Sequence, residues 1–371
     1  MAIKPPGFLV GQAFSLREAF RPRKSGPEGR LRPERPPHPE PAPVRRFWLA
    51  VGVTAALAAA ALCVLPLVGS AHIDYGRALA GQSPDAEILF YARLPRVLLA
   101  LMAGGALAVT GALFQALLRD ALAEPYTLGV SSGASLGAVV AISAGWGQIA
   151  GLPAIWVAAL VGAAAVLALV LGVATEGRRM SSFTLLLAGV TINSICLASI
   201  LFLQYFADFG QSFAIVRWLL GGIDAVEYST LGWLAVVVVP FAGYVTWKSR
   251  DWNLLAVGEE WAAARGVSTQ RLMLSGYLAG SLMAGTLTSL TGPIGFVGLI
   301  VPHALRLRLG ADHRLLIPCA FFLGAAFLAV SDTLARTILA PTEVPVGVIT
   351  AMMGGPFFIW LLRSKRKSLW L

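Results

Sequence analysis

RLPRVLLALMAGGALAVTGALFQALLRDALAEPYTLGVSSGASLG, residues 93–137, contains the features that determine the fold. Residues 95–118 are apolar almost throughout and match the length of about 20 residues that an α-helix needs to cross a bilayer. Gly129, Gly133 and Gly137 follow at intervals of four, so one face of the next helix has no side chains and a neighbour can approach closely. The stretch therefore predicts two membrane helices, the second packed tightly against another.

The composition of the whole chain agrees with a membrane protein. Of its 371 residues, 57% are hydrophobic and 13% are charged, and the mean hydropathy is +0.74. A soluble domain needs a more highly charged exterior than this. We therefore expect an all-α polytopic membrane protein that spans the lipid bilayer several times.

Apolar runs of spanning length recur along the chain and predict about ten transmembrane helices. The eighth run is short, and we expect it to be a half-helix or to be shielded by its neighbours. An even number of crossings puts both termini on one side of the membrane. The predicted spans lie near residues 47–69, 95–118, 127–145, 153–175, 183–207, 229–247, 271–291, 296–309, 314–335 and 345–362.

The distribution of Lys and Arg tests this topology, because cytoplasmic loops carry an excess of both. With ten spans, most of the 29 basic residues fall on the side of the termini. Both termini are thus expected in the cytoplasm, and the net charge of +10 reflects topology rather than binding of nucleic acid. The basic residues on the opposite side are Arg77, Arg93, Arg96, Arg217 and Arg336.

Two domains are predicted from the change in composition near residue 46. Residues 1–46 are rich in Pro, Arg and Glu, which is typical of a disordered tail, here cytoplasmic. Residues 47–371 are predicted to form the transmembrane domain. Its longest cytoplasmic loop, residues 248–271, contains a short polar helix that is expected to end at Gly266 and to offer a surface to a partner.

No catalytic or metal site is predicted. Residues 129–133 match G-x-S-x-G formally but lack the strand–turn–helix setting of a hydrolase nucleophile. The four histidines (His38, His72, His303 and His313) and the three cysteines (Cys63, Cys196 and Cys319) have no metal-ligand spacing. None of the five lysines follows a glycine, so a phosphate-binding P-loop is excluded as well.

The acidic residues bear on the source of energy. Ion-coupled carriers usually keep carboxylates near the middle of the bilayer, where such groups are costly. Asp120, Glu124 and Glu176 are predicted at cytoplasmic helix ends, and Asp332 lies four residues before Arg336, its expected ion-pair partner. With no carboxylate expected at mid-membrane, we expect energy to come from another subunit.

Five ordered blocks of sequence resemble the FecCD/BtuC-like permeases of bacterial importers for iron–siderophore complexes, haem and cobalamin. The first is the stretch quoted above. The others are LLLAGVTIN (185–193), LLAVGEEWAAARGV (254–267), GPIGFVGLIVPHALR (292–306) and PVGVITAMMGGPFFIWLL (345–362). The resemblance covers nearly all of the chain from Phe47 onward, and the family also has ten helices.

This resemblance implies a type II ABC importer permease fold that works as a homodimer or pairs with a paralogue. Two ATP-binding-cassette ATPase subunits would bind on the cytoplasmic side and hold the ATP and Mg, so this chain would bind no cofactor and would not itself be an enzyme. A periplasmic or lipid-anchored substrate-binding protein would deliver the ligand.

The resemblance also assigns roles to particular residues. A helix that couples to the ATPase is matched by Gly258, Glu259, Glu260, Ala263, Arg265 and Gly266. Arginines that dock the binding protein are matched by Arg93, Arg96 and Arg336. A cytoplasmic gate is matched by Asp120, Leu122, Ser181 and Ser182, although Asp120-Ala121 here replaces the more usual Asn-Pro.

The expected ligand is an iron–siderophore complex, with cobalamin and haem as the alternatives. The pathway is expected to be lined by small and aliphatic residues, and selectivity to lie largely in the binding protein. Two other classes stay open: an ion-coupled secondary transporter, and a structural membrane scaffold without transport activity.

Overall fold

Each of the ten predicted spans is a helix in the computed structural model, which describes residues 44–69, 71–126, 128–176 and 179–364. The bounds agree with the predicted ones to within three residues, except that the first helix ends at Val64, five residues before the predicted end at 69. The helices are α1 (Val44–Val64), α2 (Leu94–Leu118), α3 (Val130–Ser143), α4 (Ala154–Ala174), α5 (Ser182–Phe206), α6 (Tyr228–Trp247), α7 (Thr269–Thr291), α8 (Val297–Leu309), α9 (His313–Thr337) and α10 (Val346–Ser364).

The predicted tail falls mostly outside the described residues, which begin at Val44. Helix α1 starts there, so helical structure begins three residues before the predicted domain boundary. All described residues belong to one compact unit, Ala42–Leu371.

Six helices in the described part of the chain are long and apolar enough to cross a membrane. Helices α3 and α10 are apolar but shorter. Helix α7 is less apolar, and much of its length, including Tyr277 and Met283, is buried among other helices. The short α8 is buried along most of its length, which agrees with the prediction of a shielded half-helix.

Shorter elements connect the long helices, and hydropathy did not predict most of them. The helix Phe209–Leu219 begins with a capping box, in which the Asp208 carboxylate accepts a hydrogen bond from the Gln211 amide and the Gln211 side chain accepts one from the Asp208 amide. The 248–271 loop contains two helices, Ser249–Val257 and Glu259–Ala264. Two small antiparallel hairpins pair Gln148–Ile149 with Leu152–Pro153 and Thr175–Glu176 with Arg179–Met180.

Helix α2 is the centre of the bundle. In the most apolar part of its span, 83% of the residues are buried, against 17% for α1. It packs against α9, α8 and α7. An apolar helix buried on all sides forms the core around which the other helices arrange.

Glycines let α2 and its neighbours approach to backbone contact. A Cβ at Gly111 would overlap the backbone of Gly298 in α8, and a Cβ at Gly104 would overlap the carbonyl of Gly324 in α9. Close approach of this kind is how membrane helices gain packing energy without a hydrophobic driving force. The Gln115 side chain reinforces the α2–α8 contact by donating to the Gly298 carbonyl at 3.1 Å.

The predicted glycine face of α3 is confirmed. A Cβ at Gly137 would overlap the Ala158 carbonyl, and a Cβ at Gly133 would lie 2.6 Å from the Gly162 carbonyl oxygen. Both partners belong to α4. The spacing of four therefore marks a tight helix pair.

The bundle has two ends. At the amino-terminal end, where α1 starts and α2 finishes, the Arg46 guanidinium donates to the Arg308 carbonyl at 3.3 Å. At the distal end, where α2 starts and α9 finishes, Arg96 pairs with Asp332.

Substituting Gly111 with alanine is expected to destabilise the protein, because the added methyl group collides with the α8 backbone. Overpacking of this kind costs about 1–3 kcal/mol. Gly172 in α4 is the matched control, since no atom lies within 4 Å of the position of its Cβ. Thermal unfolding of the detergent-purified variants, followed by tryptophan fluorescence, should show a lower Tm for G111A and an unchanged or slightly higher Tm for G172A. Equal Tm values would contradict the close α2–α8 contact.

Candidate functional site

The segment matched to ATPase coupling is a short helix with a defined start and end. Gly258 separates Glu259–Ala264 from the preceding helix Ser249–Val257. Gly266 has a φ of +82° and its amide donates to the Ala263 carbonyl at 2.9 Å. This is the left-handed glycine cap that the sequence predicted.

Glu259 points from this short helix into the bundle. Its Oε1 atom lies 2.8 Å from Nη2 of Arg119, the residue that ends α2, and 3.3 Å from the Ser182 hydroxyl oxygen. The single proton of that hydroxyl is shared between Glu259 Oε1 and the nearer acceptor, the Leu117 carbonyl at 2.9 Å. One carboxylate thus joins the short helix, the end of α2 and the start of α5.

Arg119 holds an unusual backbone conformation at this junction, with φ 54° and ψ 35°. A left-handed residue that is not glycine costs energy and persists where surrounding contacts fix it. The ion pair with Glu259 is one such contact. No local sequence pattern predicts this ion pair, because the two residues are 140 positions apart.

The opposite face of the short helix is exposed. Glu260, Trp261, Ala263 and Arg265 are exposed, whereas Ala262 is buried. The Trp261 side chain has 52% of its surface accessible. Exposed tryptophans beside arginines are typical anchors of protein interfaces. Trp261 was not singled out from the sequence, although a tryptophan next to two glutamates in a predicted cytoplasmic loop was a usable signal.

The helix before this segment is fixed firmly to the bundle. The Trp252 ring is fully buried, and its Nε1 donates to the Val245 carbonyl at 3.0 Å. The ring lies over Gly276 of α7, where a Cβ would come within 2.6 Å of it. The helix Ser249–Val257 therefore forms a rigid arm, and the Glu259–Ala264 helix is attached to its end.

A polar cluster links the same arm to the start of α9. Asn253 Nδ2 donates to Asp312 Oδ1 at 2.8 Å, and the His313 amide donates to Asn253 Oδ1 at 2.8 Å. Burial alone would raise the pKa of Asp312, but hydrogen bonds from Arg314 and Asn253 lower it. Asp312 therefore stays ionised at neutral pH as the cap of α9.

The residues matched to the gate lie around the same junction. Asp120 follows Arg119 directly, and its Oδ1 accepts from the Leu122 amide at 2.9 Å, forming a turn. Leu122 is exposed, with 58% of its surface accessible. Ser181 is exposed and precedes α5, and Ser182 is buried with the bonds described above. Through Ser182 and Arg119, these residues adjoin Glu259.

The three arginines matched to docking lie together at the distal end, mostly buried. Arg93 is 6% exposed and donates to the Pro66 carbonyl at 3.4 Å and to the Ala71 carbonyl. Arg336 is 5% exposed and donates to the Leu65 carbonyl at 3.2 Å. Their guanidiniums are thus occupied within the chain.

Asp332 forms the expected pair with Arg336, at 3.6 Å, but Arg96 is its closer partner. Arg96 Nη2 lies 3.0 Å from Asp332 Oδ1, and Nη1 lies 2.9 Å from Oε2 of Glu343. Asp332 is 1% exposed, whereas the Glu343 side chain is 48% exposed. Arg96 therefore bridges one buried and one accessible carboxylate.

The expected position of Glu124 was wrong. Instead of lying at a helix end, it reaches into the bundle, where a carboxylate oxygen accepts from the Phe296 amide at 3.4 Å. Phe296 directly precedes α8, whose Gly298 packs on Gly111, about 10 Å along α2 from its end. The loop after α2 turns inward because backbone at this depth is tolerated where protein surrounds it or where it lines a cavity.

Two cavities adjoin these features. One of about 750 Å³ is lined by Glu124, Tyr126, Phe296 and residues of α10. The other, of about 660 Å³, lies at the distal end and includes Arg96 and Glu343. Both are within the size range of small-molecule sites.

Comparisons with known proteins identify what this arrangement resembles. The model of the FecCD transport family matches residues 53–364. The hemin transport system permease protein HmuU of Yersinia pestis is 39% identical over 278 residues, covering 74% of this chain and 83% of that protein. The vitamin B12 import system permease protein BtuC of Citrobacter koseri is 39% identical over 275 residues, covering 74% and 82%.

A solved structure also matches. It is described as an inward-facing conformation of a metal-chelate type ABC transporter, and it superposes with a TM-score of 0.73 at 28% identity. The match covers 85% of this chain and 99% of that one. The fold therefore agrees over nearly the whole of the solved chain.

Replacing Asp332 with asparagine should destabilise the protein strongly, because Arg96 and Arg336 lose a buried counter-charge. Breaking a buried ion pair costs about 3–5 kcal/mol. Asp224 is the control, since its side chain is 79% exposed and lies 4.0 Å from Arg217. Asp224→Asn should change stability by less than about 0.5 kcal/mol. If thermal unfolding gives the same Tm for both variants, the network at the distal end is not structural.

Proposed function

This chain belongs to the FecCD transport family, and from that premise we propose that it carries an iron–siderophore complex from the periplasm to the cytoplasm. It is the permease of an ABC importer, a transport subunit whose ATPase is a separate protein. The observation that carries the choice of ligand is the fold match to a transporter described as metal-chelate type.

Cobalamin and haem are the alternative ligands. The names of the two relatives quoted above specify vitamin B12 and hemin, and both are 39% identical to this chain. Equal identity to relatives with different ligands gives no preference between them. The choice of an iron chelate as the ligand therefore rests on the match to the solved structure.

The proposal includes an orientation. The amino-terminal end faces the cytoplasm and the distal end faces the periplasm, as the distribution of Lys and Arg supports. Two permease copies, or this chain and a paralogue, enclose the pathway. Two ATPase subunits hold ATP and Mg at the cytoplasmic end, and no cofactor is bound by this chain.

The proposed ATPase contact is the exposed face of the Glu259–Ala264 helix, with Trp261 as its anchor and Glu260, Ala263 and Arg265 around it. The rigid arm held by Trp252 supports this face. Movement of the ATPase subunits would displace the short helix about Gly258 and Gly266. Because Glu259 bonds to Arg119 and Ser182, that displacement would act directly on the ends of α2 and α5.

The proposed gate follows from the same contacts. Leu122 and Ser181 are exposed next to the contacts of Glu259 with the ends of α2 and α5. In the proposed gate they close the cytoplasmic end of the transport pathway. The turn made by Asp120 sets the position of Leu122. Asp120-Ala121 supplies this turn through a side-chain hydrogen bond where the family usually has Asn-Pro.

The proposed docking site for the binding protein is the arginine group at the distal end. Arg96 is its accessible member, because its Glu343 partner is half exposed. Arg93 and Arg336 hold the surrounding backbone and add positive charge. A glutamate of the binding protein would compete with Glu343 for Arg96.

The ligand is tested by transport in proteoliposomes that contain the permease, its ATPase and its binding protein. Uptake of a ferric siderophore, cobalamin and haem should be compared at equal concentrations with and without ATP. ATP-dependent uptake of the ferric siderophore alone is the expected result. Uptake restricted to cobalamin or haem would show that the ligand is that molecule and not an iron chelate. Uptake driven by a proton gradient without the ATPase would show that the chain is a secondary transporter and not part of an ABC importer.

Glu259→Gln and Asp251→Asn each remove one ion pair near the short helix and should differ sharply. Glu259→Gln removes the charge that pairs with Arg119, so ATP-driven uptake should fall about tenfold or more while ATP hydrolysis continues. Asp251→Asn removes a partly exposed pair with Lys248 that lies outside the proposed ATPase contact, and uptake should stay within about twofold of the wild type. The ratio of ligand imported to ATP hydrolysed is the measurement. Binding-protein docking should be unchanged in both variants, and equal ratios in the two would contradict the role of Glu259.

A further inference from the structure

Two neighbouring residues of the rigid arm attach it to different helices of the bundle. Trp252 holds the arm by packing, because its ring is fully buried against Gly276 of α7. Asn253, the next residue, holds it by hydrogen bonds to the first residues of α9. Hydrogen bonds fix both distance and direction. The orientation of the arm relative to α9 therefore depends on Asn253.

The side chain of Asn253 uses both of its polar atoms at this contact. Its Oδ1 accepts from the His313 amide at 2.8 Å and lies 2.7 Å from Nδ1 of the His313 ring. Its Nδ2 donates to Oδ1 of Asp312 at 2.8 Å. A backbone N–H can bond only to the oxygen, and an ionised carboxylate can bond only to the nitrogen. The contact therefore requires both halves of the amide.

The start of α9 depends on the arm in turn. The first amides of an α-helix have no acceptor within the helix. In α9 the Asp312 carboxylate caps the Arg314 amide at 3.0 Å, and Asn253 caps the His313 amide from a different helix. Pro318 lacks the N–H that would bond to the Arg314 carbonyl, which weakens the first turns of α9. The arm thus fixes the start of α9, and α9 fixes the arm.

The other end of α9 belongs to the arginine group at the distal end. Asp332, about 30 Å along the helix from its start, lies 3.0 Å from Nη2 of Arg96. Between the two ends, Gly324 packs against the backbone of Gly104 in α2. Helix α9 therefore connects the proposed docking site with the arm. This connection is separate from that of Glu259, which joins the short helix to α2 and α5.

We propose that Asn253 is a positioning residue that makes ATP hydrolysis respond to docking of the binding protein. When a glutamate of the binding protein competes for Arg96, the pairing of Asp332 changes and α9 adjusts at its distal end. Asn253 passes this adjustment to the arm and thus to the Glu259–Ala264 helix. The proposal rests on the proposed function for its two partners, the binding protein and the ATPase. It gives the signal a direction from the periplasm to the ATPase.

The test measures ATP hydrolysis by the reconstituted importer with and without saturating binding protein. The ratio of the two rates is compared between the wild type and Asn253→Ala, together with the affinity of the binding protein for each. The wild type should be stimulated, whereas the ratio for Asn253→Ala should fall to about one with docking retained, because the coupling is lost. A purely structural role would lower both rates and the Tm together and leave the ratio unchanged.

An exchange of two side chains separates this contact from general damage. Asn253→Asp places two carboxylates together at the 2.8 Å contact and should lose stimulation. Combining it with Asp312→Asn restores one amide and one carboxylate, keeps a good helix cap, and should recover a large part of the ratio. Asp251→Asn is the control, because Asp251 lies on the same arm but pairs with Lys248. Its ratio should match that of the wild type.

The outcomes distinguish this role from the identity of the ligand. A ratio for Asn253→Ala equal to that of the wild type, or an exchange no better than Asn253→Asp alone, would overturn the proposal. A wild type whose hydrolysis does not respond to the binding protein would overturn it as well. Failure of the proposed ligand appears in the uptake assay instead. Uptake of cobalamin alone, with stimulation lost in Asn253→Ala, would exclude the iron chelate and support the role of Asn253.

Discussion

The backbone contact between α2 and its neighbours is the constraint on which the rest of the molecule depends. Gly104 and Gly111 bring α2 against the backbones of α9 and α8, and any side chain at either position would separate them. Packing at this distance replaces the hydrophobic effect as the source of stability within a membrane. It also makes α2 a rigid rod about 37 Å long that runs from one end of the bundle to the other.

Charged groups at the two ends of this rod organise the two functional regions. At the distal end, Arg96 on the first turn of α2 joins the buried Asp332 to the accessible Glu343. At the amino-terminal end, Arg119 closes the helix and meets Glu259 of the short helix that faces the ATPase in our account. Each buried or half-buried carboxylate is paired, as desolvation requires. A shift of α2 along its axis would therefore change the ion pairs at both ends.

The fold could be predicted from the sequence because hydropathy, helix length and charge bias are local properties. The ten helices and the Gly266 cap follow from such signals. The short helix Phe209–Leu219 was missed because its apolar run is below spanning length. The depth of Glu124, the burial of Arg93 and the Arg119–Glu259 pair depend on which distant residues meet, and no local pattern in one sequence contains that information.

A double-mutant cycle tests whether the ion pair between Glu259 and Arg119 transmits movement of the ATPase subunits to the gate. ATP-driven uptake is measured for Arg119→Glu, for Glu259→Arg and for the combined exchange in the reconstituted importer. Each single reversal places like charges together and should abolish most uptake, while the exchange should recover a large part of it. If the exchanged pair is as inactive as the sum of the single losses, the ion pair does not transmit movement to the gate.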